Sequence, residues 1–275
     1  FRASCYMSDF DRAESLRWRE ELELEDAMYW IYLLLNRGRH DQLQEMATAL
    51  LARHEREGMN RETRMCCEQI RLLQARAFIQ STKHAQALET IAPVLDTDDL
   101  WMRINARFVQ IRALAYAGEI ARGRALLPAL MEEVEGLTLA EQRKWAIFTI
   151  QSCYVLKMYG ESARVARRCF GDGASLNHLK STAPILLAAL WAEVGDAELA
   201  RRAIDFARSA FRESAVMLGM IVNIDLADAI ARGDLARVRG CLEEFASLQS
   251  QQISEVSRIE HHALDHMAWI LFGPR

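Results

Sequence analysis

Arginine is the residue type in this chain best suited to hold another molecule, and two arginines stand out by their spacing. Arg76 and Arg112 lie 36 residues apart, close to the interval at which the whole sequence repeats. A guanidinium presents its donors in a planar fork that grips a carboxylate through two parallel hydrogen bonds. Two such forks one repeat apart suit an acidic side chain or a peptide's C-terminal carboxylate. Tyr32, Phe108 and Phe148 share the register and would supply apolar anchors. Gln69, Asn105 and Ser152 fall on the same predicted groove, as do Tyr29, Asn36, Gln80, Trp145 and Asn223.

A second constellation is His261-His262-Ala263-Leu264-Asp265-His266. His262 and His266 are i,i+4 neighbours on a predicted helix and share one face. A metal would need a third ligand, and the nine residues after His266 contain no His or Glu. Six cysteines (Cys5, Cys66, Cys67, Cys153, Cys169 and Cys241) lack framework spacing and read as reduced, buried thiols of a cytoplasmic protein. Vicinal Cys66 and Cys67 point in different directions on a helix. Neither G-x-G-x-x-G nor G-x-x-x-x-G-K-[ST] occurs, and no serine or cysteine nucleophile motif is present. No enzyme activity and no cofactor are expected.

The elements that position these residues come from a repeat. Turn residues Gly38, Thr82, Gly118, Met158, Gly195 and Gly233 recur at spacings of 44, 36, 40, 37 and 38. Each is followed five residues later by a small or apolar position: Leu43, Ala87, Gly123, Ala163, Ala200 and Val238. Periods of this size mark stacked supersecondary units. The predicted helix pairs are Ala27–Arg37 with Gln42–His54, Arg64–Gln80 with Ala85–Leu95, and Leu100–Ala117 with Ile120–Val134. Thr138–Lys157 with Glu161–Phe170, Ser181–Val194 with Ala197–Phe211, and Ser214–Arg232 with Leu235–Leu248 follow. Gly58-Met59-Asn60 and Gly171-Asp172-Gly173 serve as turns between pairs, and Asp96-Thr97-Asp98-Asp99 supplies an N-cap for the third pair. Residues 1–20 would form a lead-in helix, and 254–271 a helix capping the end of the array.

Segment Leu187–Ala207 carries Leu187, Ala188, Trp191, Ala200, Ile204 and Ala207 at the packing positions of a tetratricopeptide repeat, which it resembles. The third unit is similar through Ile111, Leu114, Gly118, Gly123, Leu127 and Leu130, and the second through Ala75, Phe78, Ala87, Ile91 and Val94. The period is longer than the family's, and its closing proline is missing, as in the degenerate repeats of MalT-like bacterial regulators. The resemblance implies an all-α, right-handed α-α superhelix of about six antiparallel hairpins over residues 27–248, one solenoid domain spanning 1–275. It also implies first helices that line a concave, partner-binding face.

Composition agrees with such a class. The 275 residues are 51% hydrophobic with only four prolines, so long helices and a sizeable core are allowed. The apolar run Ala183–Ala192 is half a membrane span. A net charge of −4, with Arg interleaved among acids, argues against direct nucleic-acid binding, which needs a concentrated basic surface. The chain begins at Phe1 instead of Met, as a piece of a longer protein would. The expectation is a non-catalytic protein- or peptide-binding scaffold, the sensor or regulatory region of a longer bacterial signalling or transcription regulator, with room for a homodimer. The alternatives are a helical enzyme with a metal at His262/His266 and an RNA-binding helical repeat.

Overall fold

A computed structural model describes residues 23–57, 60–170, 183–248 and 255–273. The described residues form thirteen α-helices and no strand, so the protein is all-α. The lead-in helix, Cys5, Gly58 and Met59 of one expected turn, and the Gly171-Asp172-Gly173 turn lie outside the described residues. The chain divides into two compact units between Leu137 and Thr138.

The first unit holds α1 (Leu24–Asn36), α2 (His40–Glu57), α3 (Arg61–Gln80), α4 (His84–Ile91), α5 (Leu100–Tyr116) and α6 (Ile120–Glu135). The second holds α7 (Leu139–Val155), α8 (Tyr159–Phe170), α9 (Ala183–Glu193), α10 (Ala197–Ala210), α11 (Ala215–Arg232), α12 (Leu235–Leu248) and α13 (Glu255–Phe272). The two helices of each sequence-predicted pair pack on one another. Odd-numbered helices also touch the next odd-numbered one: α1 with α3 and α3 with α5, then α7 with α9, α9 with α11 and α11 with α13.

α3 shows how this chaining follows from sequence. Cys67, Ile70, Leu73 and Ala77 join Trp30, Leu34, Leu43 and Ala47 of α1 and α2 in one core. Leu72, Ala75 and Ile79, on the other flank of α3, join Ala87, Ile91, Ala106, Val109 and Ala113 in the next. A helix buried on two flanks hands one core on to its successor, which is how an array grows without a single centre. Pro93 ends α4 early, since it cannot supply an amide to the ladder, and the chain continues as a short 3₁₀ turn, Ala92–Val94.

The turns inside the pairs are built alike. Gly38, Thr82, Gly118, Lys157, Gly195 and Gly233 have φ between +57° and +83°. Each amide donates to the carbonyl three residues back, and the following amide to the carbonyl five back, as in Gly38 to Leu35 and Arg39 to Leu34. This pair of hydrogen bonds closes a helix around one left-handed residue. Five turns are where the sequence puts them. The fourth is corrected: Lys157, not Met158, is the left-handed residue, and counting five onward reaches Ser162 instead of Ala163. Ser162 is fully buried, its hydroxyl donating to Ile150 O at 2.9 Å. A serine fills the small slot because a neighbouring carbonyl satisfies it.

Helix starts are capped by side chains that accept first-turn amides. Asp99 takes Met102 N at 2.8 Å, Asp196 takes Leu199 N, and Thr138 forms a reciprocal box with Glu141. No helix of the described residues is long and apolar enough to cross a membrane.

Candidate functional site

Within the first unit, the packing of α3 against α5 brings Arg76 and Arg112 together, as their one-repeat spacing requires. Arg76 Nη2 donates to Asn105 Oδ1 at 2.6 Å, tying the two helices. The pKa of Arg76 is lowered to about 10, first by burial and then by the nearby Arg112 charge, with Tyr32 acting the other way. Arg112 is lowered as well, again chiefly by burial, while Tyr116, one turn along the same helix, favours its charge through a side-chain hydrogen bond. These directions mean that each cation is held away from water at a cost. The Nε atoms of both are closed to solvent, and that of Arg112 has no hydrogen-bond partner among the described residues.

Around the pair stand groups that can donate without adding charge. Tyr32, near enough to act on the Arg76 charge, and Tyr116, near enough to act on Arg112, are both exposed, at 47% and 48%. His84, at the start of α4, stacks on Tyr116 with centroids 6.1 Å apart, and its Nδ1 is buried with no partner among the described residues. Asn105 spends its carbonyl on Arg76 and keeps two amide donors. Chemically the site offers two cationic forks and several neutral donors, a set complementary to an oxyanion.

The remaining predicted residues fare unequally. Gln69 lies on α3 but seven residues before Arg76, two turns away along the helix. Phe108 is 1% exposed and belongs to the interior of the first unit, so it offers a partner no surface. Phe148 is half-buried on α7 of the second unit, 5.7 Å from the Trp145 ring. Ser152 is fully buried. Its placement on the groove is corrected by the fourth turn: one residue of register turns a helical side chain by about 100°, and Gln151, half-buried, takes the position equivalent to Arg76 and Arg112. Asn223 is also interior, donating to Ser257 O at 2.8 Å and meeting His261 Nδ1 at 3.2 Å.

Tyr116 and His84 were not picked out from the sequence. Tyr116 had a signal, being i+4 from Arg112 and therefore on its face. His84 had none, because only the packing of α4 beside α5 delivers its ring. The histidine cluster separates in the structure: His261 is buried against Phe245, with ring centroids 3.6 Å apart, while exposed His266 stacks on Trp269. Among the described residues no three His, Cys, Asp or Glu side chains gather to hold a metal ion. The described cysteines are free thiols, and burial pushes Cys153 and Cys241 up to about 12, far from a reactive thiolate. An open groove of about 860 Å³ also lies in the first unit, between the start of α3 and the loop before α5. Its Arg61 and Arg64 share the lining with Glu68, Asp96, Asp98 and Asp99, so neither sign dominates.

No family model matches this chain, and no curated protein or solved structure matches it either.

Proposed function

We propose that this chain is a non-catalytic scaffold for a protein or peptide, built as a right-handed array of tetratricopeptide-like helix pairs. In this reading it is the sensor or regulatory region of a longer bacterial signalling or transcription regulator and works in the cytoplasm. The observation that supports it most is the meeting of Arg76 and Arg112 on adjacent odd-numbered helices, shielded from water and bordered by exposed phenols. Two shielded guanidiniums brought side by side carry a desolvation cost. They become favourable when an acidic group of a partner sits between them. The shared turn geometry and the odd-to-odd helix packing within each unit support the array.

Capture from native lysate tests the reading. The double variant Arg76→Ala/Arg112→Ala is expected to keep its helical circular dichroism and to lose about 1–3 kcal/mol of partner affinity. That corresponds to a loss of roughly 5–150-fold. Equal retention of the same partner by the folded double variant would overturn this site.

A further inference from the structure

We infer that the outer face of α13 is an interface between two copies of this chain, paired as antiparallel helices about a two-fold axis. The face belongs to the second unit and owes nothing to the site proposed for partner capture in the first.

The helix carries two seams back to back. Ser257, His261, Leu264 and Ala268 follow one another at spacings of 4, 3 and 4. Ser257, His261 and Ala268 are buried, and Leu264 and Ala268 join the core made with Val222 and Leu226 of α11 and Phe245 of α12. Ile259, Ala263, His266 and Ile270 repeat the same spacings two residues on. Two residues are about 200° around a helix, so the second seam lies opposite the first, and all four of its residues are exposed.

This outer face is apolar. Ile259, Ile270 and Leu271 are 63%, 62% and 59% exposed, Trp269 is 54% and Met267 is 47%, and no other described helix exposes so many large apolar side chains. At roughly 200 Å² for a fully exposed side chain of this size, the five leave about 600 Å² open, and two copies would together cover about 1,200 Å², the lower edge of stable interfaces. A helix that merely closed the array would present a polar outer face. α13 instead has the apolar circumference of a helix buried on both sides.

A second copy fits this face. The 4-3-4 spacing reads the same in both directions, so an antiparallel copy sets Ile259 against the partner's Ile270 and Ala263 against the partner's His266, small against large. A parallel copy would set Ala263 on the partner's Ala263 and His266 on the partner's His266, a gap beside two facing imidazoles. A further helix pair laid on α13 would pass the open face on to its own far side, whereas a two-fold contact closes both copies at once. Exposed Arg258, Glu260 and His262 supply the polar rim.

Sedimentation equilibrium of the whole chain over a range of concentrations is the test. The parent is expected to approach twice the chain's mass as concentration rises. Ile259→Glu and Ile270→Lys, at exposed positions, should keep the helical circular dichroism and each weaken association by about a hundredfold or more, because a lone charge then meets an isoleucine at both ends of the seam. Mixing the two variants should restore a dimer: an antiparallel seam joins the opposite charges at one end and two isoleucines at the other, and a parallel seam does neither. Leu126→Gln, at an exposed apolar position of α6, should leave the mass unchanged. A parent that stays a monomer up to millimolar concentration overturns the inference, whatever else then covers the face. So do folded single variants that dimerise like the parent, or a mixture of the two that forms no dimer.

Discussion

Arg76 and Arg112 of the first unit differ from Arg208, Arg232 and Arg237 of the second, and also from their own neighbours Arg103 and Arg107, which share Glu133. In the second, Arg208 of α10 reaches Asp225 at 2.8 Å and Glu244, while Arg237 of α12 reaches Asp225 and also Asp228 at 3.0 Å. Asp228, itself buried, takes Arg232 at 2.8 Å. Burial alone would lower these arginines, but the carboxylates outweigh it, and Arg208, Arg232 and Arg237 are all raised. In the first unit, Arg76 donates to a neutral amide, Arg112 has the Tyr116 phenol beside it, and both are lowered. The same side chain, buried in the same kind of helix pair, is structural where an internal acid answers it. At Arg76 and Arg112 burial is the largest influence and the pKa is lowered.

The comparison breaks most sharply at Asp228. Asp228→Ala removes the carboxylate that two arginines share and is expected to destabilise the chain by about 3 kcal/mol, the usual cost of stripping one partner from a buried pair. Denaturant unfolding followed by circular dichroism reads this directly. A loss under about 1 kcal/mol would mean that Arg232 and Arg237, each roughly a third exposed, turn to water and that the network is no more than surface pairing. The two units would then differ less than their charges suggest.

How far this contrast was legible in the sequence depends on the kind of information carrying it. Glycine announces a left-handed turn because other residues resist one, so four of the six turns declared themselves, and Thr82 was found by periodicity. Lys157 was hidden because nothing in a lysine marks that conformation. Its offset of one residue carried Ser152 onto a face it does not occupy. Ser162 was missed for a related reason, since a buried hydroxyl is cheap only beside a free carbonyl such as that of Ile150. Arg76 and Arg112 were found because they are one repeat apart, and neighbouring repeats place equivalent residues side by side. Phe108 was misjudged because an aromatic near a groove and an aromatic beneath it share one periodicity.

The turns sharpen the comparison at smaller scale. Thr82 in the first unit and Lys157 in the second have φ of 58° and 57°, a conformation that costs an ordinary residue about 1 kcal/mol or more. Glycine removes that cost but brings more freedom to the unfolded chain. Thr82→Gly and Lys157→Gly are therefore each expected to stabilise by up to about 1 kcal/mol, measured as a shift in the denaturation midpoint. Equal gains would show that the units share one backbone plan and differ only in how they manage charge. A loss at either site would mean that the side chain there makes contacts worth more than the strain.

The smallest effect is expected at His261, the titratable ring in the second unit's interior. Asn223 donates its amide to Ser257, so its oxygen is the acceptor and His261 Nδ1 carries the hydrogen between them. Burial lowers the His261 pKa below its ordinary 6.5; Asp265 opposes this, and His262 reinforces it. The folded ring therefore holds a proton less tightly than the unfolded chain does. Its contribution to stability is complete above 6.5 and falls as the pH drops through 6.5 towards the lower folded value. The change stays small because protonation adds a hydrogen at Nε2 and leaves the Nδ1 bond to Asn223 in place, so only the burial of the charge counts. Replacing the ring by glutamine should flatten this part of the stability–pH curve below pH 6.5. A curve that keeps its slope in His261→Gln would move the titration to another group. The described interior of the second unit would then have no ionisable ring that matters to folding, leaving its carboxylate–arginine network as the whole of the contrast with the first.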